Sequence, residues 1–179
     1  MREIFLFACL AVSCGPGNPG SDIEATATPA ASLPEVEQST VEWYPITDSA
    51  FPVPAGCSAQ CSLECDVEAG TIDCPGDVGS LSVWGGLSSM VGMELDQTGA
   101  IVEGHGLADG NRVRWGTGAT GRFCGMVSSP SGDTMGLYWT WQVCAPDSAA
   151  RRATILAIVK SSTKAFPADR ALDCVNTGC

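Results

Sequence analysis

The sequence contains one imidazole, that of His105, and charged residues of both signs lie near it in the chain. Any Ser-His-Asp or Cys-His mechanism would have to use this side chain, because no other histidine is present. No Gly-x-Ser-x-Gly motif supplies a nucleophile, so we assign no catalytic residue and favour a protein that is not an enzyme. A binding role stays open. The predicted binding patch consists of Glu94, Glu103, His105, Arg112 and Arg114.

Pairs of carboxylates elsewhere in the chain could hold calcium or perform acid–base hydrolysis. The pairs are Asp66 with Glu68, Asp73 with Asp77, and Glu94 with Glu103. No Asp-x-Asp-x-Asp-Gly loop accompanies them, and the sequence does not show that any pair shares a pocket. We therefore expect no metal site from these residues.

Residues 116–121, GTGATG, match the G-x-G-x-x-G pattern of dinucleotide-binding loops. Such a loop must lead into a helix, whereas residues 122–125 are typical of a strand. We interpret these glycines as a wide hairpin turn and expect no cofactor.

The strands that would position the binding patch can be predicted from residues 89–118. Asp109-Gly110 predicts a type I′ turn, because both central residues of that turn need positive φ. Centring a hairpin there places His105 opposite Arg114, and a turn at 96–99 adds an earlier strand over 90–95. The binding patch then lies on the polar face. The other face collects Val91, Met93, Leu95, Val102, Val113 and Trp115.

Later residues extend the β pattern. A second hairpin is predicted from Arg122–Ser128 and Thr134–Cys144. The apolar run Ala153–Val159 favours a buried strand because it is rich in β-branched residues, although Ser148 could start a helix there. Pro167 is expected to begin a final helical turn. In the second hairpin, the core-facing residues are Met135, Leu137, Trp139, Trp141 and Val143.

Six to eight short strands joined by tight turns predict an all-β domain over residues 41–179. We expect a disulfide-rich antiparallel meander folded as a small barrel or a sandwich. The rhythm of residues 93–106, MELDQTGAIVEGHG, resembles hairpins of small secreted β-barrels of the avidin and lipocalin type. This resemblance is confined to that hairpin and implies no ligand.

Eight of the ten cysteines lie within this predicted domain, and an even number suits a fully paired disulfide framework. The sequence leaves about 105 connectivities open. Four thiolates in the first cluster, at 57, 61, 65 and 74, could bind zinc instead, but the tight Cys-x2-Cys spacing is absent. The eight are Cys57, Cys61, Cys65, Cys74, Cys124, Cys144, Cys174 and Cys179.

The N-terminal residues are typical of an export signal. The uncharged residues 4–13 are too few to span a membrane as a helix. They end in Leu10-Ala11-Val12-Ser13-Cys14, which resembles the lipobox of bacterial lipoproteins. The resemblance implies that residues 1–13 are a signal peptide, which is removed. It also implies that Cys14 is then lipidated on its sulfur and on its newly exposed amino group, with palmitate among the acyl chains. Several acyl chains on one residue would anchor the protein stably to a membrane.

Residues 14–40 are expected to form a disordered, lipidated linker. They contain four prolines and no aromatic residue, so they cannot bury enough surface to offset the entropy of ordering. A flexible chain of this length would span on the order of 25–30 Å. In the sorting rule for lipoproteins of enteric bacteria, a Gly directly after the lipidated cysteine, here Gly15, is compatible with the outer membrane. We therefore favour the outer membrane over the inner one.

The net charge of −11 argues against nucleic acid as a partner, because an acidic chain repels phosphates. The charge is uneven: residues 15–111 carry fifteen acidic and no basic side chains, and residues 112–179 carry eight basic and four acidic ones. We expect an extracytoplasmic, lipid-anchored envelope protein, most simply a binding module for a small ligand or another envelope protein. The alternative is a ligand-carrying β-barrel or a secreted hydrolase that uses the binding patch.

Overall fold

The computed structural model describes residues 41–46, 49–64, 67–87, 92–130 and 138–177. All of them belong to one compact unit, Gln38–Cys179. The predicted signal peptide and linker, residues 1–40, lie outside the described residues, as do Cys65, Cys179, Met90, Val91, Met135 and Leu137.

The described chain forms ten strands and one α-helix. The strands are β1 (Trp43–Ile46), β2 (Ser49–Pro52), β3 (Ser58–Glu64), β4 (Val67–Cys74), β5 (Gly79–Leu87), β6 (Ile101–Ala108), β7 (Asn111–Thr117), β8 (Arg122–Pro130), β9 (Tyr138–Pro146) and β10 (Val175–Asn176). The helix α1 spans Ala149–Lys160, and short 3₁₀ turns cover Glu94–Asp96 and Ala168–Arg170. The predicted all-β, disulfide-rich class is confirmed, and the helical turn expected after Pro167 is present.

Eight strands form one sheet in the order β10-β3-β4-β5-β9-β8-β7-β6. Every pair of neighbours is antiparallel except β10 with β3. The described strands make an open sheet with β10 and β6 at its edges, and β1 and β2 form a separate hairpin. The architecture is a mainly antiparallel meander with one helix and one hairpin packed on it.

The main core lies between one face of the sheet and the layer made by α1, β1 and β2. We call this the helix face. Tyr44 stacks on Phe51 at 5.1 Å between ring centroids, and Phe51 packs against Trp141 at 5.0 Å. The Trp141 indole donates a hydrogen bond to Ser49 Oγ at 2.9 Å. The sheet contributes Ile72, Leu81, Val83, Val113, Phe123, Val127, Trp141 and Val143.

The predicted strand over Ala153–Val159 is wrong, because these residues belong to α1. The Ser148 hydroxyl caps the helix by accepting a hydrogen bond from Arg151 N, as a good N-cap does. The buried residues Ile155, Ile158 and Val159 follow the three- and four-residue spacing of a helix face. Packing of this apolar face onto the sheet outweighs the weak β preference of its branched residues.

In the predicted meander, the hairpin of β6 and β7 is confirmed, and the strand predicted before it is wrong. Asp109 and Gly110 both have positive φ, and β6 pairs with β7 in the predicted register. The earlier strand is not formed within the described part of 90–95, where Glu94 begins a 3₁₀ turn. Val102, predicted to face the core, is 46% exposed, because the β6–β7 register shifts between Val102 and Gly104.

Three disulfides lie within the described residues: Cys57–Cys74, Cys61–Cys174 and Cys124–Cys144. These pairings rule out the four-thiolate zinc site, because three of its four sulfurs are oxidised in pairs. Such bonds persist in oxidising compartments, so the domain belongs outside the cytoplasm. Over the described ranges, no helix is long and apolar enough to cross a membrane.

Candidate functional site

The second face of the sheet, opposite α1, is only partly covered. Residues 92–96, which we call the crossing segment, lie on this face, and Met93 and Leu95 pack with the Cys124–Cys144 disulfide and Met126 in a second, smaller core. Beside that segment the surfaces of β6, β7, β8 and β9 remain open. This open region is the candidate site.

The opening is a cleft of about 650 Å³. It combines basic groups, hydroxyls and apolar side chains, with one carboxylate at its rim. Its lining residues are Asp96, His105, Gly106, Leu107, Arg112, Val113, Arg114, Met126, Ser128 and Thr140. A mixed lining in a volume of this size is typical of sites for small molecules.

Strand register builds the cleft from residues far apart in sequence. His105 on β6 lies opposite Arg114 on β7, and Arg114 lies opposite Met126 on β8. One step along the strands, Arg112 lies opposite Ser128, and Ser128 lies opposite Thr140 on β9. Because alternate residues of a strand share a face, these side chains form a continuous surface across four strands.

One ion pair crosses the edge of the cleft. Arg114 Nη2 donates to Asp96 Oδ1 at 2.6 Å, and both side chains are partly exposed. The same nitrogen lies 3.6 Å from Met126 Sδ. In the described structure, Arg114 Nε and Nη1 donate to no protein atom. Two of its donor groups are therefore available to a ligand, whereas the exposed ion pair itself adds little stability.

The floor of the cleft is formed by two hydroxyls. Thr140 is buried, and its hydroxyl donates to Ser128 Oγ at 3.3 Å. The Ser128 hydroxyl accepts in this contact, so its own hydrogen can be donated to a bound group.

The structure brings together three residues of the predicted binding patch, His105, Arg112 and Arg114. It does not place Glu94 among them. Glu94 was predicted on the polar face but is buried, and its carboxylate accepts from Thr120 N at 3.2 Å and from Thr120 Oγ1 at 2.8 Å. Its backbone N–H donates to Gln142 Oε1 at 2.8 Å. Glu94 therefore holds the crossing segment on the sheet.

Glu103 also lies apart from the cleft. Its carboxylate accepts from Arg152 Nη1 at 2.6 Å and from Thr117 Oγ1 at 3.1 Å. Arg152 belongs to α1 and places its guanidinium 4.3 Å from the centre of the Phe123 ring. Glu103 thus ties the edge strand to the helix, and the cleft keeps Asp96 as its one lining carboxylate among the described residues.

Seven lining residues lay outside the predicted patch: Asp96, Gly106, Leu107, Val113, Met126, Ser128 and Thr140. The alternation in β8 carried a signal for two of them, since Met126 and Ser128 are two residues apart and share a face. Asp96 looked like an ordinary turn residue. Only the path of the crossing segment brings it to Arg114.

In the described ranges, no three side chains of His, Cys, Asp or Glu gather closely enough to hold a metal ion. In the glycine motif 116–121, the first two residues end β7 and residues 118–121 form the turn to β8, in which Gly118 N donates to Arg122 O at 2.8 Å. This is the hairpin predicted in place of a dinucleotide loop.

The perturbed ionisable groups lie away from the cleft and have structural causes. A hydrogen bond from the Lys164 backbone N–H lowers the pKa of Asp109, and the Thr163 hydroxyl adds to this effect. Hydrogen bonding to Arg152 lowers the pKa of Asp147. Burial raises the pKa of the Tyr44 phenol in the main core.

No protein family, curated protein or solved structure matches this chain.

Proposed function

We propose that this protein is a lipid-anchored lipoprotein of the bacterial cell envelope whose β domain binds a small ligand without transforming it. The observation that carries the binding role is the cleft, in which Arg112, Arg114 and His105 stand beside hydroxyls and apolar side chains. A convergent mixture of this kind is the usual form of a ligand site.

The chemistry of the cleft favours binding over catalysis. Hydrolysis by the predicted patch would need Glu94 or Glu103 beside His105, and both carboxylates are engaged elsewhere. Asp96, which does reach the cleft, is paired with Arg114. An acid–base mechanism needs two groups placed on either side of a reacting bond, and the described residues offer no such pair.

The envelope assignment rests on two features. The lipobox-like residues 10–14 end at Cys14, and the three disulfides suit an oxidising compartment. The linker of residues 15–40 would hold the domain away from the lipid head groups. Gly15 suits the outer membrane.

Intact mass spectrometry of the protein extracted from membranes tests the anchor. We expect a chain that begins at Cys14 and carries a diacylglyceryl group and an amide-linked acyl chain. A Cys14→Ser variant should take up no labelled fatty acid. A wild-type chain with unmodified Cys14 would show that the anchor is wrong.

Thermal-shift screening with small metabolites and lipids tests the binding role. The suitable protein is a soluble form that begins at Gly15 and is exported behind a non-lipoprotein signal, so that its disulfides can form. Leu107→Trp should block the mouth of the cleft and abolish the shift. The matched control is Val175→Trp, at an exposed apolar position on the opposite edge of the sheet. A ligand that both variants still bind would place the site elsewhere.

A further inference from the structure

We infer that a groove over strands β3 and β4 binds an uncharged sugar chain, one ring of which stacks on the indole of Trp84. The groove has a volume of about 550 Å³ and shares no lining residue with the cleft. The inference therefore depends neither on the ligand of the cleft nor on the membrane anchor. It assigns a second binding site to the domain.

The groove lies on the second face of the sheet, the face opposite α1. On β4, Val67 packs against the smaller core of that face, and Ala69 and Thr71 follow it at the two-residue spacing of one strand face. Ile72, the next residue along the strand, belongs to the main core on the helix face. Ala69 and Thr71 both line the groove, so its floor consists of short side chains that point away from the main core.

One row of residues leads across this floor from the edge of the sheet to Trp84. Val175 of β10 lies opposite Ser62 of β3. Ser62 lies opposite Ala69, and Ala69 lies opposite Trp84 of β5. The ends of the row are exposed apolar side chains, Val175 at 66% and Trp84 at 44%, with two small residues between them. Three steps between neighbouring strands make the row about 14 Å long.

Trp84 stands at the border between the covered and the open parts of the second face. Its neighbour on the other side is Gln142 of β9, whose Oε1 accepts a hydrogen bond from the backbone N–H of Glu94 at 2.8 Å. The crossing segment therefore begins directly beyond Trp84, and the groove lies on the near side of it. An indole in this position offers a partly exposed aromatic surface beside the polar floor.

The floor supplies hydrogen-bonding groups that the protein itself does not use. Gln60 of β3 lies opposite Thr71, and both line the groove. In the part of the chain that the structure describes, neither side chain makes a hydrogen bond to protein. A carboxamide and a hydroxyl can each donate and accept, which is what a ligand rich in hydroxyl groups requires.

The charges around the groove disfavour anions. The one charged lining residue among those described is Asp173, and residues 15–111, which include β3, β4 and β5, contain fifteen acidic and no basic side chains. Arg122 of β8 reaches β5, but its Nη2 donates there to Ser82 Oγ and to Cys144 O. An acidic surface repels phosphates, nucleic acids and acidic sugars.

An uncharged sugar chain is the ligand class that fits all of these features. A pure hydrocarbon would bury Gln60 and Thr71 without partners, which is costly. A sugar ring has an apolar C–H face, which removes the Trp84 surface from water when it stacks there, and hydroxyl groups around its rim for Gln60 and Thr71. The length of the row favours several linked rings over a single one.

A glycan microarray tests the inference. The soluble form that begins at Gly15 is applied to uncharged, acidic and amino-sugar chains of increasing length, and the best uncharged chain is then titrated by calorimetry. We expect binding to an uncharged chain that strengthens with its length, and no binding to the acidic series. A preference for acidic or amino sugars, or binding to no sugar on the array, overturns the inference.

Variants locate the site. Trp84→Ala should weaken binding about tenfold or more, and Trp84→Phe should retain most of the affinity because it keeps an aromatic face. Thr71→Val keeps the β-branched shape and removes the hydroxyl, so it should weaken binding about two- to tenfold. The matched control is Ile101→Ala, at an exposed apolar side chain that lines neither the groove nor the cleft, and it should leave the affinity unchanged.

Leu107→Trp separates the groove from the cleft. This change blocks the mouth of the cleft and should leave sugar binding as it is in the wild type. Sugar binding that is lost in Leu107→Trp and kept in Trp84→Ala would assign the sugar to the cleft and overturn the inference. Thermal melting shows that each variant is folded. The array itself needs no variant, and Thr71→Val tests the site if Trp84→Ala does not fold.

Discussion

Gly125 on β8 lies directly beneath Val159 of α1: a Cβ atom at residue 125 would come within 2.6 Å of Val159 Cγ1 and 2.8 Å of Ile155 Cγ2. The helix therefore rests on bare backbone at this point of the sheet. The side chains beside Gly125 on neighbouring strands, Trp115 and Val143, form the walls of this contact. The close approach fixes the depth at which α1 sits on the helix face.

Gly125→Ala should destabilise the protein by about 1–3 kcal/mol, the usual cost of forcing an extra carbon into a packed core. Chemical denaturation of the soluble form measures this loss. The control is Gly106→Ala on β6, where the added Cβ would meet Val113 Cγ2 at an ordinary 3.5 Å. We expect that variant to match the wild type within about 0.5 kcal/mol. Equal stabilities for the two variants would contradict the described seat of α1.

The fold could be predicted wherever local signals fix the backbone. Asp109-Gly110 determines the type I′ turn, and the turn determines that His105 faces Arg114. The strand predicted over Ala153–Val159 failed because a short apolar run fits either a strand or a helix, and the three-residue spacing of Ile155 and Ile158 received too little weight.

Only the part of the cleft that belongs to this hairpin could be predicted from the sequence. Arg112, Arg114 and His105 belong to one hairpin, so their proximity follows from the turn. Asp96 reaches them through a crossing segment that no turn motif announces, and Glu94 is drawn inward by Thr120 and Gln142. Contacts of that kind depend on tertiary packing, which sequence patterns do not encode locally.

The carboxylate of Asp109 should make stability depend on pH in acid. It accepts hydrogen bonds from Lys164 N at 2.7 Å and Thr163 Oγ1 at 2.8 Å, which lower its pKa in the folded state. The unfolded chain has the ordinary pKa of about 3.9. A lowered folded-state pKa contributes stability above that value, and this contribution is lost as the pH falls through the folded-state pKa.

Asp109→Asn tests this dependence, because asparagine keeps the positive φ of the turn but does not titrate. We expect wild type to be more stable at neutral pH and the difference to shrink below about pH 4, measured by denaturation across a pH series. Thr163→Val removes one donor and should reduce the pH dependence of the otherwise wild-type chain. A difference that grows in acid would mean that the sign of the pKa shift is wrong.

Glu94 and Glu103 should matter for stability and not for ligand binding. Glu94→Ala removes the hydrogen bonds that Thr120 donates to the Glu94 carboxylate. The loss of folding stability should be at most about 1.5–3 kcal/mol for each bond to a charged group, and partial access of water reduces it. Glu103→Gln weakens the contact with Arg152 at the surface and should cost less. Denaturation measures both changes.

The same two variants, at a temperature where they stay folded, should bind a ligand found in the thermal-shift screen as tightly as the wild type does. Glu42→Ala, at an exposed carboxylate that directly precedes β1 and does not line the cleft, controls for the loss of one negative charge. A selective loss of affinity in Glu94→Ala would return Glu94 to the site and favour the hydrolase alternative.

Cys65 and Cys179, which lie outside the described residues, are expected to form a fourth disulfide. Three described pairs account for six of the eight cysteines after residue 50. Near the chain's end, β10 runs parallel to β3 and Thr177 N donates to Leu63 O at 3.0 Å. Cys65 comes two residues after Leu63, and Cys179 comes two residues after Thr177. The two segments therefore run in the same direction, and each cysteine follows one of the two hydrogen-bonded residues by two positions.

Peptide mapping of the oxidised protein under non-reducing conditions should recover Cys65 linked to Cys179 and no free thiol. The single variant Cys65→Ser should expose one thiol to a maleimide, on the peptide that contains Cys179. The double variant Cys65→Ser/Cys179→Ser should lose little stability, because Cys61–Cys174 already closes the same long loop, with a sequence separation of 113. Loss of Cys61–Cys174 alone should cost little for the same reason, while loss of both bonds should cost about 4–5 kcal/mol. Two free thiols in the wild-type protein would contradict the fourth bond.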